Sequence, residues 1–295
     1  MSEFSHLANP TATRETLERH GLATKKALGQ NFLVNDAIIG KICALSEVGP
    51  ADSVLEVGPG IGTLTVALAA RAGHVVSVER DTDLPAVLAE TCAPFDNFRL
   101  ISKDALGLEE SDLAGMPAPT KFIANLPYAV AATLVLDYLQ RFDSIESCTV
   151  MVQKEVADRM MAAKGTKDYG AYTVKLNLIA QPAGRFAVSP GNFFPPPRVE
   201  SAVIRLNRRD AIEAGITPAL MQASCLAADA AFATRRKTIA NSMKTYFSGR
   251  GAGGAFLAEH VPGILERAGI DSRCRGESLD LGEFVDLGRA LLGIR

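Results

Sequence analysis

Short apolar runs alternate with amphipathic stretches through the first half of the chain. A helical stretch runs to about Ser46. Ser53–Val57 then reads as a buried strand that ends in the turn Gly58-Pro59-Gly60. Thr63–Ala72 has helical spacing, His74–Glu79 reads as a strand and Asp81–Thr91 as a helix. Phe98–Ser102 and Lys121–Ala124 read as a third and a fourth strand. Ala129–Phe142 is a predicted helix, Cys148–Gln153 a fifth strand and Lys154–Ala163 a further helix. Strands alternating with helices imply a parallel, doubly wound sheet. After Gly170 the pattern changes. Tyr172–Ile179 and Val199–Leu206 read as strands with no helix between them, joined through Ser189–Arg198, which suggests an antiparallel pair closing the sheet. From about Asn207 the chain is helical and loop-like. The expected organisation is a loose, partly disordered leader over 1–24, an α/β domain over 25–206 and a small α-helical C-terminal domain over 207–295.

A chain of 295 residues with 47% hydrophobic content supports two domains and a substantial core. Its formal net charge of −2 excludes a uniformly basic nucleic-acid binder, but the distribution is uneven. Residues 51–110 carry ten acids against four bases, and residues 198–250 carry nine bases against four acids. The second half therefore suits an anionic partner, although solvated surface gives the same count. The five cysteines (Cys43, Cys92, Cys148, Cys225, Cys274) lack metal or redox spacing, so no metal site is expected and the thiols read as reduced. Residues 1–22 have no apolar signal core, and the longest apolar run, Ala129–Leu136, is too short for a bilayer. A cytoplasmic protein without a membrane partner is expected.

Gly58-Pro59-Gly60-Ile61-Gly62 is a G-x-G-x-G turn between a strand and a helix. Glycines there let the backbone approach a ligand. The dinucleotide fingerprint needs a further glycine where this chain has Thr63, which argues against a dehydrogenase. The turn alone fits a methyltransferase, another Rossmann-like protein or a plain turn. Two acids at successive strand ends narrow it. Glu79 is placed to accept both ribose hydroxyls of a nucleoside. Asp104 is placed to accept from an adenine amine. The ligand read from this set is S-adenosylmethionine, which has no pyrophosphate to cradle.

Asn125-Leu126-Pro127-Tyr128 follows the fourth strand. Chemistry in open α/β sheets belongs at the carboxyl ends of strands beside the topological switch. The exocyclic N6 of adenine is a poor nucleophile, because its lone pair is delocalised into the ring. Acceptors on N6–H would favour a pyramidal nitrogen. The Asn125 side-chain oxygen and the Leu126 carbonyl, with residue 126 held extended by Pro127, are the candidate acceptors. Tyr128 offers a ring for an extruded base. Phe193 and Phe194, exposed by the proline-rich link, are candidates to stack on its other face. Cytosine-C5 chemistry, which needs a nucleophilic cysteine, is set aside.

With these residues assembled, the chain resembles the ribosomal small-subunit (16S) RNA adenine N6-dimethyltransferase family, the enzymes whose loss gives kasugamycin resistance. The likeness spans about residues 25–290. It rests on Gly29-Gln30-Asn31-Phe32-Leu33, Glu56-Val57-Gly58-Pro59-Gly60, Asn125-Leu126-Pro127-Tyr128, Gln153-Lys154-Glu155-Val156, Phe193–Pro197 and Arg235-Arg236-Lys237. The resemblance implies a Rossmann-like class I methyltransferase with a mostly parallel seven-stranded sheet and an antiparallel final strand. It implies cofactor contacts at Asn31, Leu33, Gly58, Gly60, Glu79, Asp104 and Asn125. It implies a target-base pocket of Asn125, Leu126, Pro127, Tyr128 and Phe193. The expected activity is dimethylation of two adjacent adenines in a hairpin near the 3′ end of 16S rRNA, in the small subunit or its precursor, late in assembly, by a monomer. Phe194 stands where the family commonly has a small polar residue, and Gly249–Gly254 reads as a glycine-rich insertion. The rivals are a large-subunit rRNA adenine methyltransferase of the macrolide-resistance type and a mainly non-catalytic ribosome assembly factor.

Residues 230–247 read as one amphipathic helix with Phe232, Ile239, Met243 and Tyr246 inward and Lys237 and Lys244 outward. Arg236 falls near the apolar arc, which suits an internal partner, and Arg235 lies at its border. Lys237, Lys244 and Arg235 are the expected RNA contacts, supported by a basic field that also contains Arg198, Arg205, Arg208 and Arg209.

Overall fold

The computed structural model describes residues 3–25, 29–210 and 215–294. Lys26, Ala27 and Leu28, beside the expected Gly29–Leu33 motif, lie outside the described residues, as do residues 1–2 of the expected leader and 211–214 and 295 of the expected C-terminal domain.

The chain begins with α1 (Pro10–Arg19), β1 (Phe32–Leu33) and α2 (Asp36–Ser46). Then come β2 (Ser53–Val57), α3 (Thr65–Ala69), β3 (His74–Glu79), α4 (Pro85–Thr91) and β4 (Phe98–Ser102). They are followed by β5 (Lys121–Asn125), α5 (Ala131–Arg141), β6 (Ser147–Gln153) and α6 (Lys154–Met160). Among the described residues the main sheet has seven strands, and β1 belongs to a separate two-stranded ladder. In the main sheet the neighbours β4, β3, β2, β5 and β6 pair in parallel. All five residues of β2 are buried, as expected of a strand covered on both faces.

The closing pair differs from the expectation. Tyr172–Ile179 is not a strand but lies in α7 (Ala171–Ile179). The strand comes later, as β7 (Ala180–Val188). After the short β8 (Phe193–Phe194), β9 (Ser201–Arg208) pairs antiparallel to β6 and separates it from β7. Val174, Leu176 and Leu178 alternate with Lys175 and Asn177, which mimics a strand. Burial of Val174, Leu176, Leu178 and Ile179 in a helical layer decides for the helix, since period alone cannot separate the two in so short a run.

The chain divides into two compact units, Met1–Ala157 with Pro182–Arg208, and Asp158–Gln181 with Arg209–Arg295. Residues 158–181, expected in the α/β domain, fall in the second unit. That unit also contains α8 (Pro218–Phe232), α9 (Ile239–Ser248), α10 (Gly251–Arg267) and α11 (Leu281–Leu292). In it α7 and α11 pack on α8. Gly288 of α11 lies so near α8 that a Cβ there would sit 2.3 Å from the Ser224 hydroxyl. The glycine-rich 249–254 segment forms the corner between α9 and α10. A Cβ on Gly254 would lie 2.3 Å from the Phe247 carbonyl oxygen.

The single helix expected over 230–247 is two. Chain direction changes over 233–238, and Thr238 starts α9 by accepting the Asn241 N–H on its hydroxyl. The Ser242 hydroxyl accepts from Thr234 N–H and donates to the Ala230 carbonyl, which secures the turn. Lys237 therefore lies in a turn and Lys244 on α9.

The leader is not loose. Asn9 caps α1 ahead of Pro10, and Thr13, Thr16 and Leu17 are buried. Leu7 and Leu17 join a core with Phe32, Ile61, Val66 and Leu88. The Asp36 carboxylate, at the start of α2, accepts backbone N–H bonds from Glu3, Phe4 and Ser5.

Candidate active site

The strand order reverses between β2 and β5, because β3 and β4 extend the sheet to one side of β2 and β5 to the other. Loops that leave neighbouring strands at such a point diverge and open a crevice. Here they line a cavity of about 620 Å³, within the range that holds a ligand of nucleoside size.

Its floor is the turn after β2. Gly58 and Gly60 have φ of 69° and 62°, which β-carbon-bearing residues rarely adopt. A Cβ on Gly60 would also meet the Phe32 ring at 3.0 Å. Thr63 is buried and borders the cavity, and its hydroxyl oxygen, itself buried, has no hydrogen-bond partner among the described residues. Sequence reasoning used Thr63 only to exclude a dinucleotide.

Glu79 ends β3 and is 7% exposed. Burial pushes its carboxyl above the usual carboxylate range, opposed by hydrogen bonds from the backbone N–H groups of Asp81, Gly60 and Arg80. Behind it lies Glu56, fully buried, with one oxygen accepting from the hydroxyls of Thr65 (2.8 Å) and Ser77 (2.6 Å). Burial pushes Glu56 up to about 7, against the two hydroxyls and with a smaller contribution from Glu79. Asp104 follows β4, is exposed, caps a short helical turn through Leu106 N–H and lies 3.7 Å from the Arg80 guanidinium.

Asn125 ends β5. Its amide Nδ2 donates to the Asn31 carbonyl at 3.3 Å. Leu126 is buried and its N–H donates to Met151 on the neighbouring strand. Pro127 packs over Gly58, close to where a Cβ would be. The Tyr128 hydroxyl lies 2.6 Å from the Ser201 hydroxyl on β9. Asn31, Leu33, Gly58, Gly60, Glu79, Asp104, Asn125, Leu126, Pro127 and Tyr128 all line this one cavity.

Phe193 does not. It pairs with Leu33 in the β1–β8 ladder, is 4% exposed and sits in a core with Ile39, Ile123 and Val203. The expectation that the proline-rich link exposes it is corrected, because pairing β8 to β1 turns its ring inward. Phe194 instead lies under the Arg14 guanidinium, at 5.5 Å.

The expected RNA residues divide. Lys237 and Lys244 are exposed and carry no ion pair among the described residues. Arg235 is engaged instead, with its guanidinium 3.3 Å from Glu277 and 3.3 Å from the Thr166 carbonyl oxygen. Arg236, assigned an internal partner, is exposed. The two adjacent arginines exchange the roles read for them because the helix on which they were projected is broken at that point. The basic field is also thinner than its count. Arg205 and Arg208 donate to carbonyls at Leu45, Ile145 and Phe142, and Arg209 to Asn177. No helix among the described residues is long and apolar enough to cross a membrane.

The chain matches the family described as Ribosomal RNA adenine dimethylase over residues 21–286. It is 38% identical to Ribosomal RNA small subunit methyltransferase A of Geobacillus kaustophilus (strain HTA426), over 98% of each chain. It is 40% identical to the protein of that name in Pelotomaculum thermopropionicum, over 97% of each chain. A dimethyladenosine transferase structure from Plasmodium falciparum shares the fold, with a TM-score of 0.73 and 23% identity over 87% of this chain and 95% of that one. The structure of the 23S rRNA methyltransferase ErmE has a TM-score of 0.64 and 27% identity over 88% of this chain and 99% of that one. A crevice at the switch point of a class I methyltransferase sheet and a family match over most of its length thus agree: the chain belongs to the ribosomal RNA adenine dimethylase family and is an rRNA adenine dimethyltransferase.

Proposed function

We propose that this enzyme uses S-adenosylmethionine to dimethylate the N6 of two adjacent adenines in a hairpin near the 3′ end of 16S rRNA, as a cytoplasmic monomer acting late in small-subunit assembly. The observation that carries the proposal is the single cavity lined by both Glu79 and Asn125-Leu126-Pro127-Tyr128. The residues fit the cofactor. The positive-φ glycine turn leaves room for close approach, and the buried Glu79 carboxylate suits a pair of ribose hydroxyls. Burial raises the carboxyls of both Glu79 and Glu56, and a cationic ligand beside them would favour their ionised forms.

Bound S-adenosylmethionine supplies an electrophilic methyl group on a sulfonium. The protein's share is to hold the adenine. Asn125 Oδ1 accepts one N6–H, and the Leu126 carbonyl accepts the other. The nitrogen lone pair is thereby drawn out of ring conjugation and aimed at the methyl group, a positioning effect. Tyr128 stacks on the base, and the Ser201 hydroxyl steadies its ring. No strong base is required, since the methylated cationic nitrogen is acidic and releases its proton to water.

Titration calorimetry with S-adenosylmethionine tests the cofactor assignment. Glu79→Ala should lose about 2–4 kcal/mol of binding, the scale of charge-assisted hydrogen bonds. Unchanged affinity in a folded variant removes Glu79 from the site. Between small- and large-subunit RNA, the identities of 38–40% to small-subunit relatives, against 27% to ErmE, support the small subunit.

A further inference from the structure

We infer that Asp81 is a positioning residue that ties the cofactor-facing acid Glu79 to the cavity wall carrying Asn31, and through it to Asn125. The inference rests on the cofactor reading above. Asp81 lies two residues beyond Glu79, and its N–H donates to Glu79 Oε1 at 2.8 Å. Its side chain is 3% exposed, unusual for an aspartate outside the cavity lining. Both carboxylate oxygens are engaged. Oδ1 accepts from Lys25 Nζ at 2.6 Å and from Asp83 N–H at 3.1 Å, and Oδ2 accepts from Gln30 Nε2 at 2.8 Å. Burial pushes the carboxyl up, but Lys25, the Asp83 N–H and Gln30 outweigh it and hold it below the usual carboxylate range.

Gln30 is clamped from its other end as well, because its Oε1 accepts from Lys25 N–H at 2.8 Å. The next residue, Asn31, presents the carbonyl that receives Asn125 Nδ2. A continuous chain of hydrogen bonds and one peptide link therefore runs Glu79, Asp81, Gln30, Asn31, Asn125. Its two ends are the cofactor acid and the reacting-base amide, and both face the cavity. An anchored Gln30 fixes the wall against which a ligand closes, so less order has to be imposed on binding.

The experiment is calorimetry of wild type, Asp81→Asn, Gln30→Ala and the double variant with S-adenosylmethionine and, separately, with S-adenosylhomocysteine. Asp81→Asn keeps size but turns an amide toward one of two donors. It should weaken S-adenosylmethionine binding about tenfold, the scale of one charge-assisted hydrogen bond. The neutral-sulfur product analogue should lose affinity by the same factor, because the wall rather than the field has changed. Gln30→Ala added to Asp81→Asn should cost less than about twofold more, since coupled partners are non-additive. Asp83→Asn, which removes only the second carboxylate on Lys25, should bind as wild type does. Gln30→Ala alone gives the same reading where Asp81→Asn does not fold. Loss of affinity for the cationic ligand only, or full additivity, overturns the inference in favour of a plain electrostatic effect, and so does unchanged affinity in Asp81→Asn. Wild-type protein that binds neither ligand defeats the cofactor reading itself.

Discussion

The Asn125 side chain donates its amide nitrogen to the carbonyl of Asn31, 94 positions earlier in the chain. That bond commits the Nδ2 end of the amide and leaves Oδ1, the atom that the proposed mechanism pairs with the N6–H of an adenine. Asn125→Ala should therefore lower kcat by about a hundredfold or more, the cost of losing one preorganised polar group at a reacting centre. Some loss of cofactor affinity is compatible, since Asn125 lines the same cavity as Glu79. Single-turnover rates on small subunits lacking the modification measure it. Normal turnover would refute the roles given to the amide.

Tyr128 is expected to act through its ring. Tyr128→Ala should lose about 1–3 kcal/mol in kcat/KM, the range for one base–aromatic stack. Tyr128→Phe loses only the 2.6 Å contact with Ser201 and should stay close to wild type. Equal damage from both would assign the effect to the hydroxyl.

Glu56 makes stability depend on pH. Its carboxyl is raised from 4.5 to about 7 by burial, so the fold disfavours the ionised form. Below pH 4.5 the group is protonated in both states and costs nothing. As pH rises through this window the unfolded chain ionises first, and stability falls until about pH 7, where the full cost is reached. The gap corresponds to about 3 kcal/mol. Glu56→Gln, which still accepts from Thr65 and Ser77, removes this dependence. Urea unfolding at pH 4.5 and pH 8 should show the variant gaining on wild type by that amount. A constant difference across the range would mean that Glu56 ionises freely in the fold.

In the C-terminal unit Arg236, Lys237 and Lys244 are exposed, and Arg235 is paired with Glu277. Lys237→Ala with Lys244→Ala should weaken subunit binding and lower the log–log salt slope by roughly 0.7–0.9 per lost phosphate contact. Arg236→Ala should lower it further, and Arg235→Ala should not. Filter binding across a salt series reads this directly. A wild-type slope in the double variant would mean that RNA docks elsewhere.

The sequence was most legible where local chemistry and topology coincide. The G-x-G-x-G turn and Glu79 fall at strand ends because β2 and β3 have the boundaries their apolar runs suggest, and Asn125 does because β5 runs one residue past the expected Lys121–Ala124. It was least legible where long-range packing decides. Phe193 follows a proline-rich stretch that reads as exposed, yet pairing with Leu33 buries it. Residues 171–179 alternate like a strand but pack as a helix on α8. The helix break at 233–238 did carry a local signal, since Thr238 is a good N-cap, but the apolar arc from Phe232 to Tyr246 masked it. Asp81 read only as the first residue of a helix over Asp81–Thr91. Its partners Lys25 and Gln30 are 56 and 51 residues away, and nothing local announces them.

The central claim is dimethylation of small-subunit adenines, and it has a direct readout. Purified protein, S-adenosylmethionine labelled in its methyl group and small subunits from cells lacking this enzyme are combined, and the RNA nucleosides are resolved by mass spectrometry. The account predicts labelled N6,N6-dimethyladenosine confined to one pair of adjacent adenines near the 3′ end of 16S rRNA, with none on large subunits and none from the Asn125→Ala protein. Label in 23S rRNA instead, or 16S rRNA left unmodified by an enzyme that binds the cofactor, would contradict it.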